Sequence, residues 1–294
     1  MKPASFDYHR PDTLDEALTL LNRYGDEAKL LAGGQSLVPA MNFRVAQPAV
    51  LIDLNNLREL DFVRDNNGSL SIGAMTRERR LEFDPLIARH LPLLTETMPN
   101  VAHPQIRNRG TLGGSLAHAD PAAELPVIML ALGARLKARS GAAERWITAP
   151  DFFKGLFTTD LAPDEILVEI ELPFMGAGTG WSFMEVAPRA GDYALMGVAA
   201  VIQLDKEGKC QQARLVYLNA GEGPLEAKAA SKSLSGADLD DSAIETAART
   251  ASQDEIQPFG NLHASPDFQR HLAHELTIRT LKLALARAGK DRLQ

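Results

Sequence analysis

The sequence predicts an α+β protein of three units: two small α/β subdomains, residues 1–57 and 58–175, then a C-terminal domain, 176–294, with a small antiparallel sheet and helices. Three observations point there. Helix-like and strand-like apolar patterns alternate through the first half of the chain. Three strand-like runs with short turns follow the glycine-rich stretch Gly176–Gly180. The tail beyond Ser265 carries one long apolar stripe at helical spacing. With 294 residues, the chain is long for one core and comfortable for two or three.

Thr13 and Glu16 have the form of a capping box, with Leu14, Ala17, Leu18 and Leu21 on one face behind them and Gly25 as the stop. Lys29–Leu31 and Val50–Ile52 read as short buried strands, and the loop Ala32–Ser36 lies between them. In the second unit Ser69–Gly73 reads as a strand. Thr76 is placed to cap a helix through Leu81. A helical stretch with Ile87, Leu91, Leu94 and Met98 leads to a second glycine loop, Gly110–Ser115. Ala122–Leu132 is helix-prone, while Arg135–Arg139 and Ile166–Leu172 read as strands.

Gly176–Gly180 reads as a linker. Trp181–Val186, Leu195–Leu204 and Ala213–Asn219 are strand candidates, the last two joined by a turn at Asp205–Gly208 and so antiparallel. Ser265-Pro266 opens the final helix, with Leu272, Leu276, Thr277, Leu281 and Leu285 on its stripe and an end near Gly289.

Composition excludes several classes of function. The net charge is −7 and there is no basic run, which argues against nucleic acid or an anionic membrane as partner. The single cysteine, Cys210, can form no internal disulfide, iron–sulfur cluster or cysteine-rich zinc site. It reads as a small half-buried sheet residue, and the composition fits a reducing cytoplasm. No apolar run is long enough for a membrane span, and the N-terminus lacks the apolar core of a signal peptide, so a cytoplasmic location is expected.

The chemistry concentrates in two glycine loops, Ala32-Gly33-Gly34-Gln35-Ser36 and Thr111-Leu112-Gly113-Gly114-Ser115. Consecutive backbone N–H groups can meet a diphosphate when no side chain blocks the approach, and glycine permits both the dihedrals and the closeness. A serine or threonine hydroxyl adds a donor. Singly, each Gly-Gly is an ordinary turn signal. Together, each with polar neighbours, they suggest one anion gripped from two sides. There is no P-loop motif. Gly176–Gly180 resembles a dinucleotide fingerprint only superficially, because a strand and not a helix follows it.

At these loops the sequence resembles the FAD-binding (medium) subunits of molybdenum hydroxylases, the carbon monoxide, xanthine and nicotinate dehydrogenase type. Ala32–Pro39 matches the family's first FAD loop, and the run Ile106–Pro126 matches the second. Asp164–Leu167 and Pro188–Leu195 resemble its flavin-contacting stretches. The resemblance spans nearly the whole chain and implies a bipartite FAD-binding fold with a smaller α+β domain. It implies cofactor contacts from Ala32, Gly33, Gly34, Gln35, Ser36 and Leu37, from Ala102, and from Thr111, Gly113, Gly114 and Ser115. Asp120 and Glu124 would lie near the ribityl or ribose groups. Ile166 and Leu167 would touch the adenine or flavin ring through backbone and side chain. Arg189 and Tyr193 would approach the isoalloxazine from the third domain. Ser115 stands where relatives often carry Asn or Asp, and it keeps a short hydrogen-bonding side chain.

The same resemblance implies an electron-transfer subunit. Molybdopterin would sit in a large partner subunit and two [2Fe–2S] clusters in a small one, the whole forming a dimer of heterotrimers. Electrons would reach FAD here and leave for an external acceptor, and no residue of this chain would be catalytic or metal-binding. A stand-alone flavin oxidase and a FAD-binding assembly factor are the alternatives. His103 and His118 flank the second loop and read as structural or ligand hydrogen bonders. His263, His271 and His274, and the cluster Arg77, Arg79 and Arg80, read as solvated faces.

Overall fold

The computed structural model describes residues 2–290. The first unit holds β1 (Asp7–His9), α1 (Leu14–Tyr24), β2 (Ala28–Leu31), α2 (Leu37–Asn42) and β3 (Val50–Asp53). Its three strands are parallel, in the order β1-β3-β2. Helix α1 forms because Thr13 Oγ1 accepts the Glu16 N–H at 3.2 Å and all four expected apolar residues are buried against the sheet. The Glu16 carboxylate accepts the Asp12 N–H at 2.9 Å, one residue further back than a standard box. Gly25, at φ 50°, ends the helix.

The second unit runs through β4 (Val63–Asp65), β5 (Ser69–Gly73), α3 (Glu78–Phe83), α4 (Pro85–His90), α5 (Pro92–Thr97), α6 (Pro104–Arg107), α7 (Leu112–His118) and α8 (Glu124–Leu132). It continues with β6 (Arg135–Arg139), β7 (Glu144–Thr148), α9 (Ala149–Phe152), β8 (Phe153–Gly155), β9 (Thr158–Thr159) and β10 (Ile166–Pro173). An antiparallel sheet, β4-β5-β10-β6-β7, forms its frame.

Three local expectations are corrected here. Thr76 caps nothing: its hydroxyl donates to the Phe62 carbonyl at 3.1 Å, and Arg77 occupies the N-cap position. The stretch from Ile87 to Met98 is not one helix. Pro92 has no N–H to offer and forces Leu91 out of helical geometry, to φ −134° and ψ 56°, so α4 and α5 are separate. Ile87, Leu91, Leu94 and Met98 are all fully buried nonetheless. Helix α8 starts at Glu124 because the Ala122 N–H is taken by Asp120 Oδ1 at 2.9 Å and Ala123 is extended.

The third unit is an antiparallel sheet of β11 (Thr179–Val186), β12 (Met196–Leu204), β13 (Cys210–Leu218) and β14 (Leu225–Glu226), covered by α10 (Lys228–Leu234), α11 (Asp241–Thr250) and α12 (Pro266–Lys290). The β12–β13 turn is built by Asp205, whose Oδ1 accepts from the N–H groups of Glu207 and Lys209 at 2.9 and 3.0 Å. Gly180 is no linker residue. It lies in β11, where an added Cβ would strike the Ala284 carbonyl and come within 2.9 Å of the Ala288 Cβ, so it lets α12 lie close on the sheet. Cys210 is fully buried on β13, deeper than expected.

Apolar packing forms three clusters. The first gathers α1 and β3 but also Leu60, Met75, Ile166 and Val168, so residues 1–57 do not close their core alone. The second centres on α8 and β10, and takes in Leu167, Ile170 and Leu172. The third lies between the last sheet and its helices.

Candidate functional site

The first loop leaves β2 and turns into α2. Among the described residues, the backbone N–H groups of Gly33, Gly34, Gln35, Ser36 and Leu37 find no acceptor. Gly34 stands at φ 73°, a conformation open to glycine. Five consecutive free donors around such a residue form a concavity suited to an anion. The Gln35 amide folds back to the Gly33 carbonyl at 2.9 Å, and Asn55 Nδ2 donates to the Ala32 carbonyl at 2.9 Å.

The second loop is built differently from expectation. Thr111 is an N-cap, its Oγ1 accepting the Gly114 N–H at 3.1 Å, and residues 112–118 are helical. The Leu112 and Gly113 N–H groups donate to the Thr76 and Ala74 carbonyls at 3.0 and 2.8 Å, and that of Ser115 to Thr111. This segment therefore has no row of free N–H groups, because capping and pairing to residues 74–76 consume them. What it presents is the Ser115 hydroxyl and an absence of Cβ atoms. A Cβ on Gly113 would sit 2.5 Å from the Ala74 Cβ, and one on Gly114 3.3 Å from the Ala32 Cβ. A Cβ on Gly33 would overlap the Arg109 carbonyl and come 2.8 Å from the Gly110 Cα. The two glycine segments, far apart in sequence, meet backbone to backbone.

Carboxyl groups crowd beside this seam. Glu124, 7% exposed, begins α8, and burial together with the nearby charge of Asp120 raises it to about 7. Glu78, 6% exposed, lies against the Gly110 Cα with its Oε2 unpartnered among the described residues, and burial plus the charge of Glu124 raises it to about 7. Glu185 on β11 is raised to about 8 by burial and by Glu124. Sequence reasoning missed Glu78 and Glu185, since no local motif marks either. Arg77 also departs from expectation. Arg79 and Arg80 are exposed, whereas Arg77 turns inward to the Arg109 carbonyl and to Asn55.

The third unit reaches this region through residues 188–195. Gly191, at φ 83°, lies so close to subdomain 2 that a Cβ would sit 2.5 Å from His103 Nδ1 and 3.1 Å from the Ala102 carbonyl. Ala102, itself at φ 46°, has that carbonyl held by Arg107 Nη1 at 2.8 Å. Asn219, also missed in the sequence, donates its N–H to the Pro121 carbonyl at 2.7 Å and its amide to the carbonyls of Ala194 and Leu195 at 2.9 and 3.2 Å. Tyr193 is 69% exposed, and its hydroxyl is pushed up by the protein around it and by the charges of Asp120 and Glu124. Arg189 is exposed.

Ile166 and Leu167 are corrected in part. Their side chains are 1% and 5% exposed and belong to two different cores, so neither side chain is free to touch a ring. His118 packs on the Phe157 ring, and His274 pairs with Glu245 at 3.0 Å. No group of three metal-ligating side chains stands together among the described residues, and no helix among them is long and apolar enough to cross a membrane.

Donor concavity, facing glycine seam and protonatable carboxyls can hold a diphosphate and its sugar hydroxyls. The model of the FAD binding domain in molybdopterin dehydrogenase matches residues 4–175, and that of the CO dehydrogenase flavoprotein C-terminal domain matches 181–284. The chain is 42% identical to the 6-hydroxypseudooxynicotine dehydrogenase complex subunit alpha of Paenarthrobacter nicotinovorans, over 98% of this chain and 97% of that one. It is similar to a solved chain of carbon monoxide dehydrogenase from Hydrogenophaga pseudoflava, with TM-score 0.95, 38% identity and coverage of 98% and 99%. A chain of quinoline 2-oxidoreductase from Pseudomonas putida 86 gives TM-score 0.92, 40% identity and the same coverage.

Proposed function

The chain belongs to the family of FAD-binding subunits of molybdopterin dehydrogenases, and we propose from that premise that it carries FAD and relays electrons within a multi-subunit oxidoreductase. The observation that carries this reading is the row of five free N–H donors, Gly33–Leu37, held beside the second segment where glycines let the two backbones meet. Residues Gly33–Leu37 would bind the diphosphate, with the Ser115 hydroxyl opposite. Glu124 and Asp120 would meet the sugar hydroxyls, Glu124 able to donate as well as accept because burial holds it near neutrality. The backbone at Ile166 and Leu167, Ala102 beneath Gly191, and Tyr193 with Arg189 from the third unit would border the ring system. Residues 1–57, 58–175 and 176–294 would be the three functional units.

FAD, when bound, supplies the capacity to accept and release electrons singly or in pairs. This chain's residues supply position, charge and exclusion of water. With a single buried cysteine, Cys210, the chain leaves iron–sulfur clusters to a small partner subunit and molybdopterin to a large one. Electrons would come from the [2Fe–2S] clusters and pass to an external acceptor, in a cytoplasmic dimer of heterotrimers. Isolation of the chain with its native partners, followed by visible spectroscopy and mass spectrometry of released cofactors, tests the proposal. FAD with iron–sulfur and molybdopterin signals supports it. FAD alone, without partners, would favour a stand-alone oxidase, and no flavin would end the reading.

A further inference from the structure

Asn55 lies just after β3 and reaches in two directions. Its Nδ2 donates to the Ala32 carbonyl at 2.9 Å, at the root of the first glycine segment. Its Oδ1 accepts from Arg77 Nη2 at 2.5 Å. The other guanidinium nitrogen, Nη1, donates to the Arg109 carbonyl at the root of the second segment. That Arg109 carbonyl is also the atom on which Gly33 closes. Two carbonyls from two subdomains are thus tied through one amide and one guanidinium. The orientation of the amide is dictated by its neighbours, since a flipped Asn55 would face Ala32 with an acceptor and Arg77 with a donor. Asp53, 7% exposed, fixes Asn55 from behind by accepting its backbone N–H at 2.9 Å, and Tyr8 donates its hydroxyl to the same carboxylate.

We propose that Arg77 and Asn55 form a clamp that sets how the two glycine segments meet, and so position the diphosphate site without being part of its donor row. This rests on the flavin reading above. A planar fork can bond a carbonyl and an amide oxygen at once, which a lysine ammonium on a flexible stem does far less well. Burial of the Arg77 guanidinium, with the charge of Arg109 nearby, lowers its pKa, and the carboxylates of Asp61 and Asp53 partly offset this. A counter-charge alone would need no fork, and a plain structural tie would not follow the ligand.

The test uses the full chain together with the subunits that co-purify with it. Arg77→Lys and Arg77→Met are compared with the unmodified protein for affinity toward FAD, and toward ADP, which has the diphosphate without the flavin. The ligand-free melting temperature is recorded alongside. Loss of both charged bonds in Arg77→Met, and of one with misplacement of the other in Arg77→Lys, is expected to weaken FAD and ADP in parallel, by roughly tenfold to a hundredfold. The ligand-free melting temperature should fall little. Full recovery of affinity in Arg77→Lys would overturn the clamp in favour of charge alone. A fall in melting temperature with affinities unchanged would reduce the pair to a structural tie. If the unmodified protein bound neither FAD nor ADP, the flavin reading itself would fail, and the clamp with it.

Discussion

Asn219 donates its backbone N–H to the carbonyl of Pro121 at 2.7 Å, across the boundary between the C-terminal sheet and the segment that leads into α8. Its side chain turns the other way and holds the carbonyls of Ala194 and Leu195. One residue therefore fixes the 188–195 segment relative to Asp120 and Glu124. Its φ of 54° is tolerated by asparagine and costly for most other residues.

Asn219→Ala removes two side-chain hydrogen bonds and places alanine in a left-handed conformation. A destabilisation of about 2–3 kcal/mol is expected in thermal unfolding. Asn219→Gly relieves the backbone part only. If flavin content drops in both variants, the amide is what aligns the third unit. If it drops in neither, the segment finds its place without Asn219.

Gly33→Ala drives a methyl into the Arg109 carbonyl and the Gly110 Cα. Backbone on both sides leaves little room to yield, so overpacking of about 2–3 kcal/mol is expected. Flavin retention after gel filtration should fall sharply. Retention equal to the unmodified protein would show that the seam can open without loss.

Buried carboxyls make the ligand-free chain sensitive to pH. Glu78 and Glu124 have folded values raised to about 7 from an ordinary 4.5. Between those values the folded state binds more protons than the unfolded, so stability declines as pH rises from about 5 to 8. Glu78→Gln removes the titrating group and is expected to be more stable than its parent at pH 8, by up to about 3 kcal/mol. At pH 5 the two should converge. A parent melting temperature that is flat from pH 5 to 8 would refute this.

Tyr193 offers the opposite contrast. At 69% exposure it contributes little to packing, so Tyr193→Ala should change stability by no more than about 0.5 kcal/mol. The absorbance maxima of bound flavin should shift if the ring borders the isoalloxazine. Unshifted maxima would remove Tyr193 from the site.

Helix α1 and the Asp205 turn were legible because their signals are local, a cap and a turn residue, whereas a bulge after Leu167 in β10 sends Ile166 and Val168 to one core and Ile170 and Leu172 to another. The second glycine segment was legible as a place but not as a shape. Its threonine could end a loop or cap a helix, and residues 74–76 decide which by taking the Leu112 and Gly113 N–H groups. Pro92 is visible in the sequence, but the helical spacing on either side of it masks the break it makes between α4 and α5. Glu78, Glu185, Asn55 and Asn219 carry no local signal at all. Each acquires its role from partners distant in the chain, as Arg77 does when it leaves the basic face suggested by Arg79 and Arg80.

Strand β10 is shared between two cores, giving Ile166 and Val168 to the first and Leu167, Ile170 and Leu172 to the second. A ribosome making this chain in order releases α1 and β3 long before β10 exists. The apolar face of the first subdomain is completed only when those late residues arrive, through contacts between distant parts of the chain.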